Sequence, residues 1–229
     1  MNSVLTKLGI KGLLFDYGGT LDTGGDHWGV VLWKAWQEAG VPVGEASFRE
    51  AYVYAERTLG QQSIIRSDFS FSQTLEAKLQ LELDYVGQQS FLKHVLDIVC
   101  SVAQRHTARS REVLRKLANE LPLVLVSNFY GNLHVVLQEL GLESVFRQVI
   151  ESAVVGIRKP DPKIFLMGAD ALGLAPEEVA VVGDSFDNDI IPAKKAGCRT
   201  IWMKGAQWTD KQVDEHMPDL VVSKIEELL

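Results

Sequence analysis

The sequence predicts an α/β fold: a three-layer, Rossmann-like core with a parallel sheet, interrupted near its start by an inserted all-α module of four-helix type. Three observations carry this reading. Short, continuously apolar runs at residues 12–15, 123–126 and 179–182 alternate with helical patterns, as strands buried on both faces do in a parallel sheet. The stretch 27–105 contains no convincing strand and shows helical spacing instead, as in Val31, Ala35, Glu38 and Ala39. The three apolar runs end in polar residues, which an open parallel sheet gathers beyond its carboxyl edge.

In chain order, Gly12-Leu13-Leu14-Phe15 runs into Asp16 and then Gly18-Gly19, a strand opening into a loop. Four helices are expected near 27–39, 45–59, 71–86 and 88–105, divided by Gly40-Val41-Pro42, Gly60 and Gly87. From residue 107 the chain alternates: helix 108–120, strand 123–126, helix 131–140, strand 145–150, a helix after Pro162, strand 179–182, helix 190–196, and strands at 200–203 and 220–222. This divides the chain into an α/β core at 1–22 and 107–229 and a helical insertion at 23–106. The crossings lie near 21–25 and 105–109, and Gly24 and Gly25 suit a hinge. No internal repeat, low-complexity tract or heptad pattern is present.

Apolar residues make up 46% of the 229 residues and charged residues 23%, which is globular composition rather than disordered or fibrous. A net charge of -7 without a dense Lys/Arg cluster argues against a nucleic-acid partner, while a small anionic substrate depends only on local charge. Cys100 and Cys198 are far apart and outside any Cys-x-x-Cys spacing, so packed free thiols are expected. The apolar run at 13–15 is ended by Asp16, too short for a leader or a membrane span, and the expectation is a cytoplasmic protein. The sequence gives no reading of oligomeric state.

Four segments carry chemistry: Asp16-Tyr17-Gly18-Gly19-Thr20-Leu21-Asp22, Ser127-Asn128, Gly156-Ile157-Arg158-Lys159-Pro160-Asp161-Pro162, and Gly183-Asp184-Ser185-Phe186-Asp187-Asn188-Asp189. In this order they resemble the haloacid dehalogenase superfamily, whose pattern is a strand-end Asp-x-Asp-x-Thr, a strand-end Ser/Thr, a Lys and an acidic Gly-Asp motif. The insertion between the first two segments is similar to that family's cap domain.

The resemblance implies a phosphatase of small phosphorylated metabolites with Asp16 as nucleophile, forming an aspartyl-phosphate that water hydrolyses. It further implies that Mg²⁺ is held by Asp16, Asp184, the backbone carbonyl of Gly18 and waters oriented by Asp189. Lys159 would neutralise charge, and Thr20, Ser127, Asn128 and backbone N–H groups such as that of Gly19 would donate to the phosphate. Asp187 is expected as an exposed or capping residue and Asp161 as a turn residue.

This sequence departs from the pattern at Gly18, where the family's phosphatases carry the Asp that protonates the leaving group. Its carbonyl still suits the metal, but general acid–base assistance is typically worth about 10²- to 10⁴-fold. Hydrolysis should therefore be slow, selective for good leaving groups, or assisted by Asp22, Asp26 or His27. Two other readings stay open. One is a ligand-binding pseudo-phosphatase. The other is a phosphonate hydrolase resembling phosphonoacetaldehyde hydrolase, which uses a cap lysine; Lys34, Lys78 and Lys93 are expected on solvated faces. Trp28, Trp33, Trp36, Tyr52 and Tyr54 are read as helix packing, with some lining the substrate roof, and Arg49, Arg57 and Arg66 as surface residues or contacts to a second anionic group.

Overall fold

The structure, a computed structural model, describes residues 3–229. In chain order the elements are α1 (Ser3–Lys7), β1 (Gly12–Phe15), α2 (Trp28–Ala39), α3 (Glu45–Gln61), α4 (Phe71–Tyr85), α5 (Leu92–Ala118), β2 (Leu123–Ser127) and α6 (Leu133–Glu139). There follow β3 (Gln148–Glu151), α7 (Ser152–Val155), α8 (Lys163–Leu172), β4 (Val179–Gly183), α9 (Ile191–Lys195), β5 (Arg199–Met203) and β6 (Leu220–Val222). All strand pairs are parallel, in the order β3-β2-β1-β4-β5-β6. The chain winds outward from β1 in both directions, so the carboxyl ends of β2, β1 and β4 stand side by side.

The three layers follow from the two-residue period of the strands. In β1, Leu13 and Phe15 join the hydrophobic cluster that includes Val113, Leu114 and Leu117 of α5 and Leu133 of α6. Leu14, between them, joins the opposite cluster with Ile164, Phe165 and Ala169 of α8. Both faces are covered, which is why the strands read as unbroken apolar runs. Gly168 lets α8 approach the sheet closely: a Cβ there would lie 2.8 Å from Leu14 Cδ1.

The expected helices at 88–105 and 108–120 are one. After a 3₁₀ turn at Gln89–Phe91, α5 runs for 27 residues, about 40 Å, straight through the crossing expected at 105–109. The segment contains neither Gly nor Pro, and its buried residues, from Val95, Val99 and Ala103 through Thr107 and Ser110 to Val113, Leu114 and Leu117, keep helical spacing throughout. The strand expected at 145–150 is shifted, because residues 143–145 form a 3₁₀ turn and β3 begins at Gln148. At the other crossing Gly24 and Gly25 have φ of +72° and +99°, and a Cβ on Gly24 would lie 2.5 Å from His106 Nδ1 of α5. Close packing against α5 therefore requires glycine at this position.

The loop after β5 is tied to the start of α2: His27 N–H donates to the Ala206 carbonyl (2.9 Å) and Ala206 N–H to Asp26 Oδ1 (2.7 Å). Trp208 then stacks on His27 (5.5 Å between ring centroids) and packs against Tyr52 (4.8 Å), with the Arg49 guanidinium 4.2 Å from its ring. Among the described residues no helix is long and apolar enough to cross a membrane.

Candidate active site

Three adjacent strand ends build the site. Asp16 follows β1 and is pinned by its own N–H to the Val182 carbonyl of β4 (2.9 Å). Ser127 closes β2, and its hydroxyl donates to Asp16 Oδ1 (3.0 Å). Asp184 follows β4, its carbonyl accepting from Trp202 Nε1 of β5 (2.9 Å). Asp189 comes from the π-helical turn at Phe186–Ile190, which is capped by the Ser185 hydroxyl. Lys159 reaches in from the loop before α8, its ammonium 2.6 Å from both Asp16 Oδ1 and Asp189 Oδ1.

All of these groups are buried, and that sets their electrostatics. Burial pushes the Asp184 carboxyl well above the ordinary range, and the neighbouring charges of Asp16 and Asp189 push the same way. Asp189 is raised to about 6 by burial, with the Lys159 ammonium opposing. Burial works against the charge on Lys159, but Asp16 and Asp189 more than offset it and hold it protonated. Asp16, Asp184 and Asp189 each offer an oxygen, all within 4.8 Å of one another, and one lysine cannot neutralise three carboxylates. A hard divalent cation fits such a donor set.

The structure assigns different partners to several residues expected to donate to a phosphate. Thr20 is fully buried: its hydroxyl donates to Asp184 Oδ1 (3.0 Å) and accepts from Asp184 N–H (3.0 Å), tying the β1 loop to the β4 loop. The Asn128 amide is engaged with the Lys159 backbone in both directions, Nδ2 to the carbonyl (3.0 Å) and Oδ1 from N–H (2.9 Å), so it orients the lysine's loop. The Gly19 N–H donates to Asp22 Oδ1 (2.8 Å). The substrate-side donors expected of Thr20, Asn128 and Gly19 are thus wholly or partly committed within the protein. Asp161 accepts from Lys163 N–H in a turn, and Asp187 is exposed and pairs with Lys211.

Above the cluster lies a cavity of about 690 Å³. Asp16, Ser127, Lys159, Asp184 and Asp189 line one side; Trp28, Tyr52, Glu56, Lys78 and Tyr130 line another, and Asp22 and His27 also border it. Asp22 accepts from Trp28 Nε1 (3.2 Å) and is raised to about 8, chiefly by burial and further by the charge on Asp16. His27 caps α2, its Nδ1 accepting from Gly29 N–H, and burial together with the charge on Lys78 lowers it to about 4.

Lys78 overturns its expectation. It is buried, 7% exposed, and pairs with Glu56, whereas Lys34 and Lys93 are exposed as expected. Its spacing from Leu75 and Leu79 signalled the buried face of α4, a signal that its charge masked. Glu56 and Tyr130 had no sequence signal that marked them. Of the aromatics, Trp36 is fully buried, Trp28 and Tyr52 line the cavity, and Tyr54 is 43% exposed against Tyr85. Arg49 and Arg66 form surface ion pairs with Glu45 and Asp68, and Arg57 is exposed. Both cysteines are free, Cys198 buried and Cys100 half-buried.

Residues 10–197 match the haloacid dehalogenase-like hydrolase family. Among curated relatives, the glyceraldehyde 3-phosphate phosphatase of Methanopyrus kandleri is 38% identical over 92 residues, 39% of this chain and 40% of that protein. The phosphoserine phosphatase of Thermus thermophilus is 42% identical over 89 residues, 38% of this chain and 34% of that protein. The chain thus spans only about a third to two fifths of these relatives' length. A HAD hydrolase of Bacillus subtilis, solved bound to magnesium, shares the fold at a TM-score of 0.59 and 19% identity, covering 96% of each chain. With a family match across most of its length and the acidic strand ends in one buried cluster, the chain belongs to the haloacid dehalogenase-like hydrolases.

Proposed function

We propose that the protein is a Mg²⁺-dependent phosphatase of small phosphorylated metabolites, working through an aspartyl-phosphate on Asp16. The observation that carries this reading is the single ammonium of Lys159 held between Asp16 and Asp189 at the floor of a cavity, with Asp184 beside them. Residues 23–106 act as the cap that roofs this cavity, and 1–22 with 107–229 as the catalytic core.

A carboxylate and a phosphate repel each other, so the attack needs cationic charge and donors fixed in advance. Lys159 supplies the charge and Ser127 Oγ a donor, both already oriented on Asp16 Oδ1. Asp16, Asp184 and Asp189, with the carbonyl of Gly18, would hold the Mg²⁺, which when bound neutralises further charge between the two anions. An oxygen of Asp16 bonds to phosphorus as the bond to the leaving oxygen breaks. Water then attacks the phosphorus, releasing phosphate and restoring the carboxylate.

Gly18 brings no proton to the leaving oxygen. Of the three groups that could substitute, Asp22 is favoured: its oxygens accept from Gly19 N–H and Trp28 Nε1, but it is a carboxyl bordering the cavity and, pushed up to about 8, it holds a proton to give at neutral pH. Asp26 is taken up by Lys34 and Ala206, and His27 holds its Nδ1 lone pair in a helix cap. The phosphonate-hydrolase alternative requires a neutral amine, and burial alone would favour one at Lys78. Glu56 first, and then Tyr52, Tyr130 and Glu82, together offset the burial and favour the ammonium, which weighs against this reading.

The test is hydrolysis of p-nitrophenyl phosphate, acetyl phosphate and a panel of alkyl phosphates with Mg²⁺, by wild type and Asp16→Asn. The expected result is turnover that favours good leaving groups, a loss of at least about 10³-fold in the variant, and phosphoenzyme label on Asp16 in the wild type. Wild-type rates equal to buffer across the panel would leave a binding protein instead.

A further inference from the structure

We infer that the wall of the cavity formed by α3 and α4 is a subsite for an aminocarboxylate, Lys78 receiving the carboxylate and Glu56 the ammonium of a phosphomonoester whose phosphate lies at Asp16. The phosphate end of this ligand rests on the reading above; the subsite rests on its own geometry.

Lys78 on α4 and Glu56 on α3 form an ion pair with side chains 9% and 39% exposed, and both line the same cavity as Asp16 and Lys159. With Lys78 buried and Glu56 only half-buried, the pair is a poor way to join two helices, since the cost of desolvating the lysine is only partly repaid and an apolar side chain of similar volume usually does as well. The surrounding positions Phe71, Leu75, Leu79 and Leu83 already supply an apolar face to α4. A pair retained there, at a cavity wall, has a role toward what fills the cavity. It also has capacity to spare. Lys78 has three N–H donors and Glu56 takes one, and among the described residues Lys78 is the hydrogen-bond partner of Glu56.

The pairing of signs selects the ligand. A plain carboxylate approaching Lys78 meets Glu56 as well, and a plain amine approaching Glu56 meets Lys78. A group bearing both charges satisfies both at once, exchanging one ion pair within the protein for two across the interface. Aromatic walls strengthen the cationic half: Tyr52, Tyr130 and Trp28 border the cavity, and Tyr52 already holds the Lys78 ammonium 4.3 Å from its ring centre. Glu82, one turn beyond Lys78 on α4, is wholly buried without a hydrogen bond to either oxygen. In its neutral form it leaves the balance of charge with Lys78 and Glu56.

The experiment is calorimetric binding to the Mg²⁺-loaded full chain, with no turnover required. The probes are the methylene-phosphonate analogue of O-phosphoserine and its one-carbon-longer homologue, each compared with its deaminated and its decarboxylated counterpart. At one length or the other, the intact aminocarboxylate is expected to bind about tenfold or more tightly than either counterpart. Lys78→Met should abolish the advantage over the decarboxylated probe, and Glu56→Gln the advantage over the deaminated one, in proteins whose circular dichroism matches wild type. Lys78→Arg should retain most of it. Equal affinities for the three probes at both lengths, no binding of any, or preferences unchanged in the variants would overturn the inference. Absence of turnover on the phosphoester panel alongside an intact binding preference would overturn only the phosphatase reading.

Discussion

Gly18 and Gly19 are adjacent glycines with different reasons to be glycine. Gly19 has φ of +95°, and a Cβ there would sit 2.5 Å from Asp184 Oδ1, so both the backbone and the packing against Asp184 exclude a side chain. Gly18 is not in the left-handed region, and a Cβ there would meet only the Trp28 indole, Nε1 at 3.6 Å and Cδ1 at 3.8 Å, both ordinary contacts. Gly18→Asp is therefore sterically admissible and tests whether proton transfer limits the reaction. The expected outcome is about a tenfold or greater rise in kcat for alkyl phosphates, with a much smaller rise for p-nitrophenyl phosphate, whose leaving group needs little protonation. Equal gains on both substrates, or none, would show that the missing carboxyl is not the limiting feature.

At the scale of elements, α4 carries an internal conflict at Glu82, a carboxyl buried without a hydrogen bond to either oxygen. Burial pushes the Glu82 carboxyl up to about 8 from its ordinary 4.5, with Lys78 only partly opposing. The unfolded chain gives up this proton near pH 4.5 and the folded chain only near 8, so the group removes stability progressively as pH rises through that window. Glu82→Met should raise the melting temperature at pH 8, by an amount corresponding to about 1–3 kcal/mol, and by less at pH 5. Thermal melts of both proteins across that range check the sign: a difference that grows toward acid would contradict it. The long helix α5 shows how element boundaries escape a sequence reading. Its apolar stripe passes from the helical insertion to the sheet without Gly or Pro, and nothing local marks the change of neighbour.

At the scale of the whole molecule, the site and the hydrophobic clusters make opposite contributions. The clusters bury both faces of the sheet, while Asp16, Asp184 and Asp189 concentrate negative charge beside a single lysine. A divalent cation relieves that repulsion, so Mg²⁺ should stabilise the fold by mass action, about 2.7 kcal/mol at a hundred times its Kd. Melting temperature should rise with Mg²⁺ and fall with chelator. In Asp184→Asn the metal-free protein should melt higher than metal-free wild type, and most of the Mg²⁺ response should vanish. A Mg²⁺ response in the variant equal to that of wild type would remove Asp184 from the metal site.

The α/β class, the strands at 12–15, 123–126 and 179–182, and the convergence of Asp16, Ser127 and Asp184 were legible in the sequence from local signals, an unbroken apolar run and a polar residue at its end, whereas Lys159 and Asp189 were expected only through the resemblance of their segments to the haloacid dehalogenase family. The partners were not legible. That Thr20 answers to Asp184, that Asn128 holds the backbone of Lys159, and that Lys78 is buried against Glu56 depend on contacts between segments 22 to 164 residues apart. Sequence patterns report the free energy of burying a face or capping a turn, which is local. Which polar atoms satisfy one another is decided only when packing brings distant segments to within a hydrogen bond, and that belongs to the tertiary structure.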